Sequence, residues 1–187
     1  MLSRRRFVGV AAGALLVVRP GVGRAQEGTF LKPEDAPRHL FADVSEVAER
    51  SIATTSVLQA RIVALMGRPP TVWESTYRIF TATHGERLLG FTVVVEEIGK
   101  HRPITFAVAV NPDATVRDVA VLSYREPYGG DIKEHRFLKQ YIGKTSAAPL
   151  LPYQDIQNIA GATLSVQATG RAVKKAIAVL RAAGDLR

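Results

Sequence analysis

The residues Gly161-Ala162-Thr163 stand directly before a strongly amphipathic segment that is predicted to be the last helix of the chain. The first N–H groups of a helix lack backbone partners, and this end carries a partial positive charge, so such a helix start can hold a phosphate group. The small residues before it let a ligand approach the backbone. The alternative is that Thr163 is a simple N-cap, whose hydroxyl accepts a hydrogen bond from a backbone N–H. The residue types alone favour the cap.

A second candidate feature is the loop Glu126-Pro-Tyr-Gly-Gly130. Its two glycines permit close backbone approach to a flat ring, and the Tyr128 side chain could cover such a ring. Alternatively, proline and paired glycines form a tight turn without any further role. Both interpretations stay open for the loop by itself.

Three segments, taken together and in this order, resemble the FMN-binding domain family. They are Glu126-Pro-Tyr-Gly-Gly-Asp-Ile132, Phe137-Leu-Lys-Gln-Tyr-Ile-Gly-Lys144 and Ile159-Ala-Gly-Ala-Thr-Leu-Ser165. The family includes domains of the Rnf complex, of the sodium-pumping NADH:quinone reductase and of NosR-type regulators. The chain is most similar to small, exported, single-domain members. The resemblance covers roughly residues 70–183 and predicts a single FMN-binding domain over residues 26–187.

The resemblance implies that FMN is held by a phosphoester bond to a threonine, which is Thr163 here. In the family this threonine ends an Asp-x-x-Ser/Thr-Gly-Ala-Thr motif. A separate flavin transferase forms the bond outside the cytoplasm and takes the FMN from FAD. In this chain the Ser/Thr position of the motif holds Ala160 and the Asp position holds Gln157. The glutamine bears on whether the transferase recognises the chain.

The expected FMN contacts combine the helix start with the glycine loop. A phosphate on Thr163 is expected to lie against the backbone N–H groups of Leu164 and Ser165, with the Ser165 hydroxyl as a further donor. The loop is expected to line the flavin. The expected cofactor-binding residues are therefore Tyr128, Gly129, Gly130, Gly161, Ala162, Thr163, Leu164 and Ser165.

Composition excludes several other kinds of chemistry. The 187-residue chain has no cysteine, which excludes disulfides, thiolate metal sites, iron–sulfur clusters and c-type haem attachment. Its four histidines are scattered singly, without the spacing of converging metal ligands. Five arginines and no acid lie in residues 1–25, so the net charge of +8 falls to +3 in the remainder. Nucleic acid is therefore not an expected partner.

The elements that must position these residues are predicted to form an α+β domain. Its body is an antiparallel β-meander flanked by helices, with a C-terminal amphipathic helix. Strands are expected at residues 46–54, 73–83, 88–97, 103–110 and 116–124. Helices are expected at residues 33–41, 56–66 and 131–142, after an unstructured start at residues 26–32. The final helix carries an apolar stripe of Val166, Val173, Ile177 and Leu180, with Arg171, Lys174, Lys175 and Arg181 on its other sides.

Residues 1–25 are predicted to be a signal peptide of the twin-arginine type. Ser3-Arg-Arg-Arg-Phe7 resembles that export signal, and Gly23-Arg-Ala25 is a small-residue cleavage site. The apolar run between them is about 11 residues long, whereas a membrane span needs roughly 20. An ordinary secretory signal and an uncleaved anchor are the alternatives. All three place the mature chain outside the cytoplasm, and we expect a periplasmic protein that begins near Gln26.

Three functions remain open. The first is an electron carrier, whose partners are the flavin transferase and a membrane or periplasmic redox protein. The second is a small flavin-dependent reductase, for which Tyr124, Arg125 and Glu126 are the candidates beside the loop for a proton donor. The third is a ligand-binding or scaffold module that has lost FMN, an interpretation consistent with Gln157.

Export of the chain is expected to require its N-terminal arginines. Replacing Arg4, Arg5 and Arg6 together by lysine should block export, because the triple change leaves no neighbouring arginine pair. The measurement is the amount of processed protein in the periplasmic fraction. Unchanged export in cells that lack the twin-arginine translocase would contradict the prediction.

Overall fold

One antiparallel sheet of six strands lies at the centre of residues 28–186, the part of the chain that the computed structural model describes. The strands are β1 Gly28–Thr29, β2 Glu46–Ala53, β3 Thr76–His84, β4 Arg87–Ile98, β5 Pro103–Val110 and β6 Val116–Tyr124. Their order in the sheet is β1-β6-β5-β4-β3-β2. The α-helices are α1 Ala36–Leu40, α2 Ser56–Met66, α3 His135–Leu138 and α4 Thr163–Ala183. The predicted fold class is confirmed.

The alternation of side chains along the strands decides which face of the sheet is covered. On one face, residues such as Tyr77, Val93 and Phe106 are fully buried in the main core beneath α2 and α4. The opposite face is covered in part by α1, with Leu40 and Phe41 buried there. Successive strand residues point to opposite faces, so a two-residue period in the sequence divides the cores in this way.

Helix α4 is buried along most of its length. The predicted apolar stripe is confirmed, since Val166, Val173, Ile177 and Leu180 are all fully buried. The helix ends at Gly184, which adopts a left-handed conformation with φ of 85° and closes the last turn.

Lys175 lies outside the apolar stripe of α4, as predicted, but this side of the helix is not solvated, because the Lys175 side chain is fully buried. Its Nζ lies 2.7 Å from the carbonyl oxygen of Val72, 2.9 Å from that of Glu96 and 2.6 Å from Glu74 Oε2. A charged group can be removed from water in this way when acceptors and an opposite charge surround it.

A second buried ion pair lies one turn earlier on the same helix. Arg171 Nε is 3.0 Å from Glu97 Oε2, and the Glu97 side chain is fully buried. The same carboxylate oxygen accepts the hydroxyl proton of Thr71 at 2.5 Å. Arg171 also donates to the carbonyl of Ile98 at 2.5 Å, at the last residue of β4. Charged contacts therefore fix α4 against the end of that strand.

Two of the predicted elements differ from the structure. Residues 28–29 are not unstructured, since they pair with Ser123 and Tyr124 at the edge of β6. Residues 131–142 do not form one helix: α3 is flanked by 3-10 turns at Gly130–Lys133 and Lys139–Tyr141. Ile132 and Phe137 would lie about 140° apart on a continuous helix. The extended backbone at Glu134 lets both be buried in the same core.

No helix among residues 28–186 is long and apolar enough to cross a membrane. The predicted signal peptide lies outside the described residues.

Replacing Lys175 by methionine should destabilise the fold by about 3–5 kcal/mol, because the fully buried Glu97 and the partly buried Glu74 would both lose this cation. Lys174→Met is the matched control, because its side chain is only partly buried and should cost less than about 1 kcal/mol. Urea unfolding at neutral pH measures both changes. Equal unfolding midpoints for the two variants would contradict the prediction.

Candidate functional site

The helix start and the glycine loop, which lie far apart in the sequence, line one cavity of about 550 Å³. This size is within the usual range for sites that hold small molecules and cofactors. Three elements supply the walls: the start of α4, the loop after β6 and the turn between β4 and β5. The lining residues are Lys100, His101, Glu126, Pro127, Tyr128, Gly161, Ala162, Thr163, Leu164 and Ser165.

The wall formed by α4 presents the free end of the helix. Gly161 has a left-handed backbone with φ of 78°, and a Cβ added there would meet no atom within 4 Å. The first α-helical hydrogen bond runs from the Val166 N–H to the Ala162 carbonyl. The preceding N–H groups therefore have no partner within the helix. This wall offers hydrogen-bond donors and a positive helix end to a ligand.

The Thr163 hydroxyl does not cap the helix, so the N-cap interpretation is wrong. Ala162 occupies the cap position and makes no side-chain hydrogen bond, while Thr163 is the first helical residue. Its Oγ accepts a hydrogen bond from Asn158 Nδ2 at 2.9 Å. The Thr163 side chain is only partly buried and lines the cavity. The hydroxyl is thus free of a role in closing the helix end.

The glycine loop approaches the helix start through Gly129. This residue has φ of 81°, and a Cβ there would lie 2.9 Å from Ala162 Cβ and 3.1 Å from the Tyr124 hydroxyl. Only glycine permits this approach without displacement of a neighbour. Gly130 begins the 3-10 turn. Tyr128 lines the cavity, whereas neither glycine is part of its lining.

The Ser165 hydroxyl is directed into the protein. Tyr124 has a single hydroxyl proton, which it donates to the carbonyl of Tyr128. In the 3.2 Å contact between the Tyr124 and Ser165 hydroxyls, Ser165 is therefore the donor. The expected donation from the Ser165 hydroxyl to a phosphate is not supported, because this proton is already engaged. Burial raises the pKa of Tyr124, so its phenol stays protonated.

Glu126 holds the turn between β4 and β5 in place. Its Oε1 accepts the backbone N–H groups of Lys100 at 2.6 Å, His101 at 2.5 Å and Arg102 at 2.9 Å. Burial alone would raise the pKa of this carboxyl, but the three N–H donors and the charge of His101 outweigh it. The pKa lies below its ordinary range, so Glu126 is ionised at neutral pH.

The residues that sequence analysis missed are Lys100 and His101. The run Gly99-Lys-His-Arg-Pro103 indicates a basic turn, but nothing in it predicts which part of the fold the turn will face. Both side chains are exposed and both line the cavity. Together with the positive end of α4, the Lys100 ammonium group makes this cavity favourable for an anionic ligand.

The three candidate proton donors for a reductase are all engaged in the fold. The Tyr124 hydroxyl is bound to Tyr128, and Glu126 is an ionised acceptor. Arg125 donates to the Pro103 carbonyl at 3.2 Å and to the Thr105 hydroxyl at 3.1 Å. Arg125 also is not among the residues that line the cavity. The side chains of this loop therefore support the site rather than offer a proton.

The family model described as an FMN-binding domain matches residues 99–178. This span begins in the turn between β4 and β5 and ends within α4, so it contains all three walls of the cavity. Among curated proteins, no sequence matches the chain. The resemblance inferred from the sequence is confirmed: residues 99–178 belong to the FMN-binding domain family, and FMN is their cofactor. The individual contacts to FMN stay predictions.

Replacing Glu126 by glutamine should destabilise the protein by about 1–3 kcal/mol at pH 7, since three hydrogen bonds lose a charged acceptor. The folded pKa of Glu126 is depressed, so its contribution is present above the unfolded value of about 4.3 and is lost as the pH falls through the folded value. The difference between wild type and variant should therefore shrink in acid. Denaturant unfolding across this pH range measures it.

The control is Glu86→Gln, because Glu86 is exposed in the turn between β3 and β4. This variant should be close to wild type at every pH. A difference between wild type and Glu126→Gln that stays constant down to pH 2 would overturn the assignment of the charged acceptor.

Proposed function

We propose that the FMN-binding domain of this chain is an exported electron-transfer protein that carries its FMN as a phosphoester on Thr163. The observation that supports this most strongly is the position of the Thr163 hydroxyl. It lies in the cavity wall at the positive end of α4 and takes no part in capping that helix. Such a hydroxyl is reachable from the cavity and is adjacent to a natural phosphate site.

The residues around Thr163 fit the phosphate of FMN. The backbone N–H groups of Leu164 and Ser165 belong to the first turn of α4, where donors lack helical partners. Lys100 lines the same cavity and supplies a cation from the turn between β4 and β5. Gly161 leaves open space beside the helix start. The monoanionic phosphodiester that would link FMN to Thr163 is therefore expected to be held by N–H donors and positive charge together.

The apolar side chains of the cavity fit the flavin ring. Tyr128 is 54% exposed and Leu164 is 44% exposed, which is unusual for large hydrophobic residues, and both line the cavity. A flat aromatic ring bound between the loop and the helix would cover them and remove apolar surface from water. This arrangement would place the ring next to Thr163, as a phosphoester link requires.

Electron transfer is favoured over a reductase that acts on its own substrate. FMN supplies the redox chemistry when bound, and the protein must position it and control its surroundings. Tyr124, Arg125 and Glu126 are each held by partners within the fold, so none is available as a proton donor to a substrate. The partners are then the flavin transferase and a membrane or periplasmic redox protein.

Gln157 does not argue strongly for a module that has lost FMN. Its side chain is exposed, and its backbone N–H donates to Gln140 Oε1 at 2.8 Å. The side chain that contacts the Thr163 hydroxyl belongs to Asn158 instead. The change at Gln157 therefore leaves the immediate surroundings of Thr163 intact.

Location outside the cytoplasm is the remaining part of the proposal. It rests on the twin-arginine pattern in residues 1–25 and on the exported members that the chain resembles. A covalent link would keep the flavin on a protein in a compartment where a dissociated cofactor is lost.

Thr163→Ala should abolish covalent flavin in protein co-expressed with a flavin transferase. The stability should fall by only about 0.5–1.5 kcal/mol, because the variant loses one hydrogen bond and no helix cap. Thr163→Ser keeps a hydroxyl and should retain part of the modification. Thr169→Ala is the control, because Thr169 is fully buried and bonded to the Ser165 carbonyl.

Intact mass and peptide mapping measure the modification. A mass increase equal to an FMN phosphoester, located on the peptide that contains Thr163, is the expected result for wild type. An unmodified wild type, with a transferase that is shown to modify another family member, would contradict the proposal.

A further inference from the structure

We propose that Asn158 is the positioning residue for flavin attachment, and that its amide orients the Thr163 hydroxyl toward the incoming phosphorus. This inference rests on the proposed function. The two N–H bonds of Asn158 Nδ2 are directed to two hydroxyl oxygens: Thr163 Oγ at 2.9 Å and the Tyr153 hydroxyl at 2.6 Å. The amide therefore links an exposed tyrosine to the acceptor threonine.

One polar atom of the Asn158 side chain has no partner within the described part of the fold. The side chain is partly buried, and its Oδ1 is shielded from solvent without a hydrogen-bond partner among the described residues. A buried acceptor without a partner is unfavourable, and most such groups in folded proteins are paired. Asn158 donates both amide protons to hydroxyl groups, while its amide oxygen has no partner among the described residues. A role in positioning Thr163 explains this arrangement better than a contribution to stability does.

The segment before Asn158 is held in a strained shape that fixes the position of the amide. Leu150 and Tyr153 have positive φ angles of 53° and 65°, which are unfavourable for residues with a Cβ. Asp155 stabilises this shape. Its carboxylate accepts a hydrogen bond from the Leu151 N–H at 3.1 Å and forms an ion pair with Lys144 at 3.1 Å.

The direction of the hydrogen bond between Asn158 and Thr163 determines where the hydroxyl proton of Thr163 can point. Asn158 donates to one lone pair of Thr163 Oγ, so the hydroxyl proton does not point at the amide and is free to be removed. Free rotation about the Cβ–Oγ bond would let this proton turn away from a base, and the fixed donor limits that rotation. The oxygen is thereby presented with a lone pair available to the cavity.

The attachment step balances without oxidation or reduction. Thr163 Oγ forms a bond with the flavin-side phosphorus of FAD, and the bond from that phosphorus to the bridging oxygen breaks. AMP leaves with the bridging oxygen and the bonding electron pair. The hydroxyl proton passes to a base of the transferase. Asn158 takes part in no bond change, and its effect is to hold the attacking oxygen.

Asn158→Ala should lower the rate of attachment without weakening recognition of the acceptor. With purified transferase and FAD, initial rates at several concentrations of full-length acceptor should show kcat reduced by about tenfold to a hundredfold and KM nearly unchanged. Asn158→Asp should be at least as slow, because a carboxylate accepts a hydrogen bond from the Thr163 hydroxyl, which turns the hydroxyl proton away from the transferase base, and because it repels the phosphate. Covalent flavin is read by intact mass.

The matched control is Asn111→Ala. Asn111 Nδ2 donates to the Thr115 hydroxyl at 3.0 Å in the turn between β5 and β6, which repeats the same contact away from the cavity. This variant should be modified at the wild-type rate. Thermal unfolding of each variant separates loss of positioning from loss of fold.

Tyr153→Phe provides the second test if Asn158→Ala does not fold. Tyr153 is 79% exposed, so removal of its hydroxyl should leave the fold intact and release one of the two contacts of the amide. We expect kcat to fall about threefold. An unmodified wild type would refute the proposed function itself. A modified wild type with an unchanged kcat in the folded variants, or a change confined to KM, would overturn the role of Asn158.

Discussion

The position of the candidate site depends on the contacts of the Lys175 ammonium group, which is buried between α4 and the sheet. The group is removed from water, so it must keep Glu74 and the carbonyls of Val72 and Glu96 as partners. Helix α4 cannot rotate or slide by one residue without breaking these contacts. Thr163 lies twelve positions earlier on the same helix, about 18 Å along its axis. The buried Lys175 charge, together with the Arg171–Glu97 pair, therefore fixes where the helix start lies.

The opposite wall of the cavity is fixed by charges at both ends of one turn. Arg171 donates to the carbonyl of Ile98 on one side, and Glu126 accepts the backbone N–H groups of residues 100–102 on the other. Lys100 and His101 are thus presented to the cavity on a rigid backbone although their side chains are exposed. A site whose walls are set before the ligand arrives loses less entropy on binding. The geometry of the cavity therefore depends on the charged contacts of Arg171 and Glu126.

The elements of the fold that the sequence could predict are those determined by residues close together in the chain. The bounds of β5, β6 and α2 follow from strand alternation and helix punctuation, and the Gly161–Ser165 segment follows from its motif. Burial of Lys175 could not be predicted, because its carbonyl acceptors come from residues 103 and 79 positions earlier in the chain. The position of Lys100 and His101 at the cavity could not be predicted either, because Glu126, which lies about 25 residues later, holds their backbone in place. The break at Glu134 also follows from the tertiary packing of α3.

A linear motif and the contacts made in space need not involve the same residues. In the sequence, Gln157 marks a departure from the expected acidic position, and this weakens the inference of a modified threonine. In the fold, the Gln157 side chain is exposed, and the next residue makes the contact to the Thr163 hydroxyl. Left-handed backbone at Tyr153 and the Asp155 contacts determine which of the two side chains reaches the helix start. The chemistry available to Thr163 is therefore set by the shape of the preceding loop, and a substitution in the motif has to be judged by where its side chain lies.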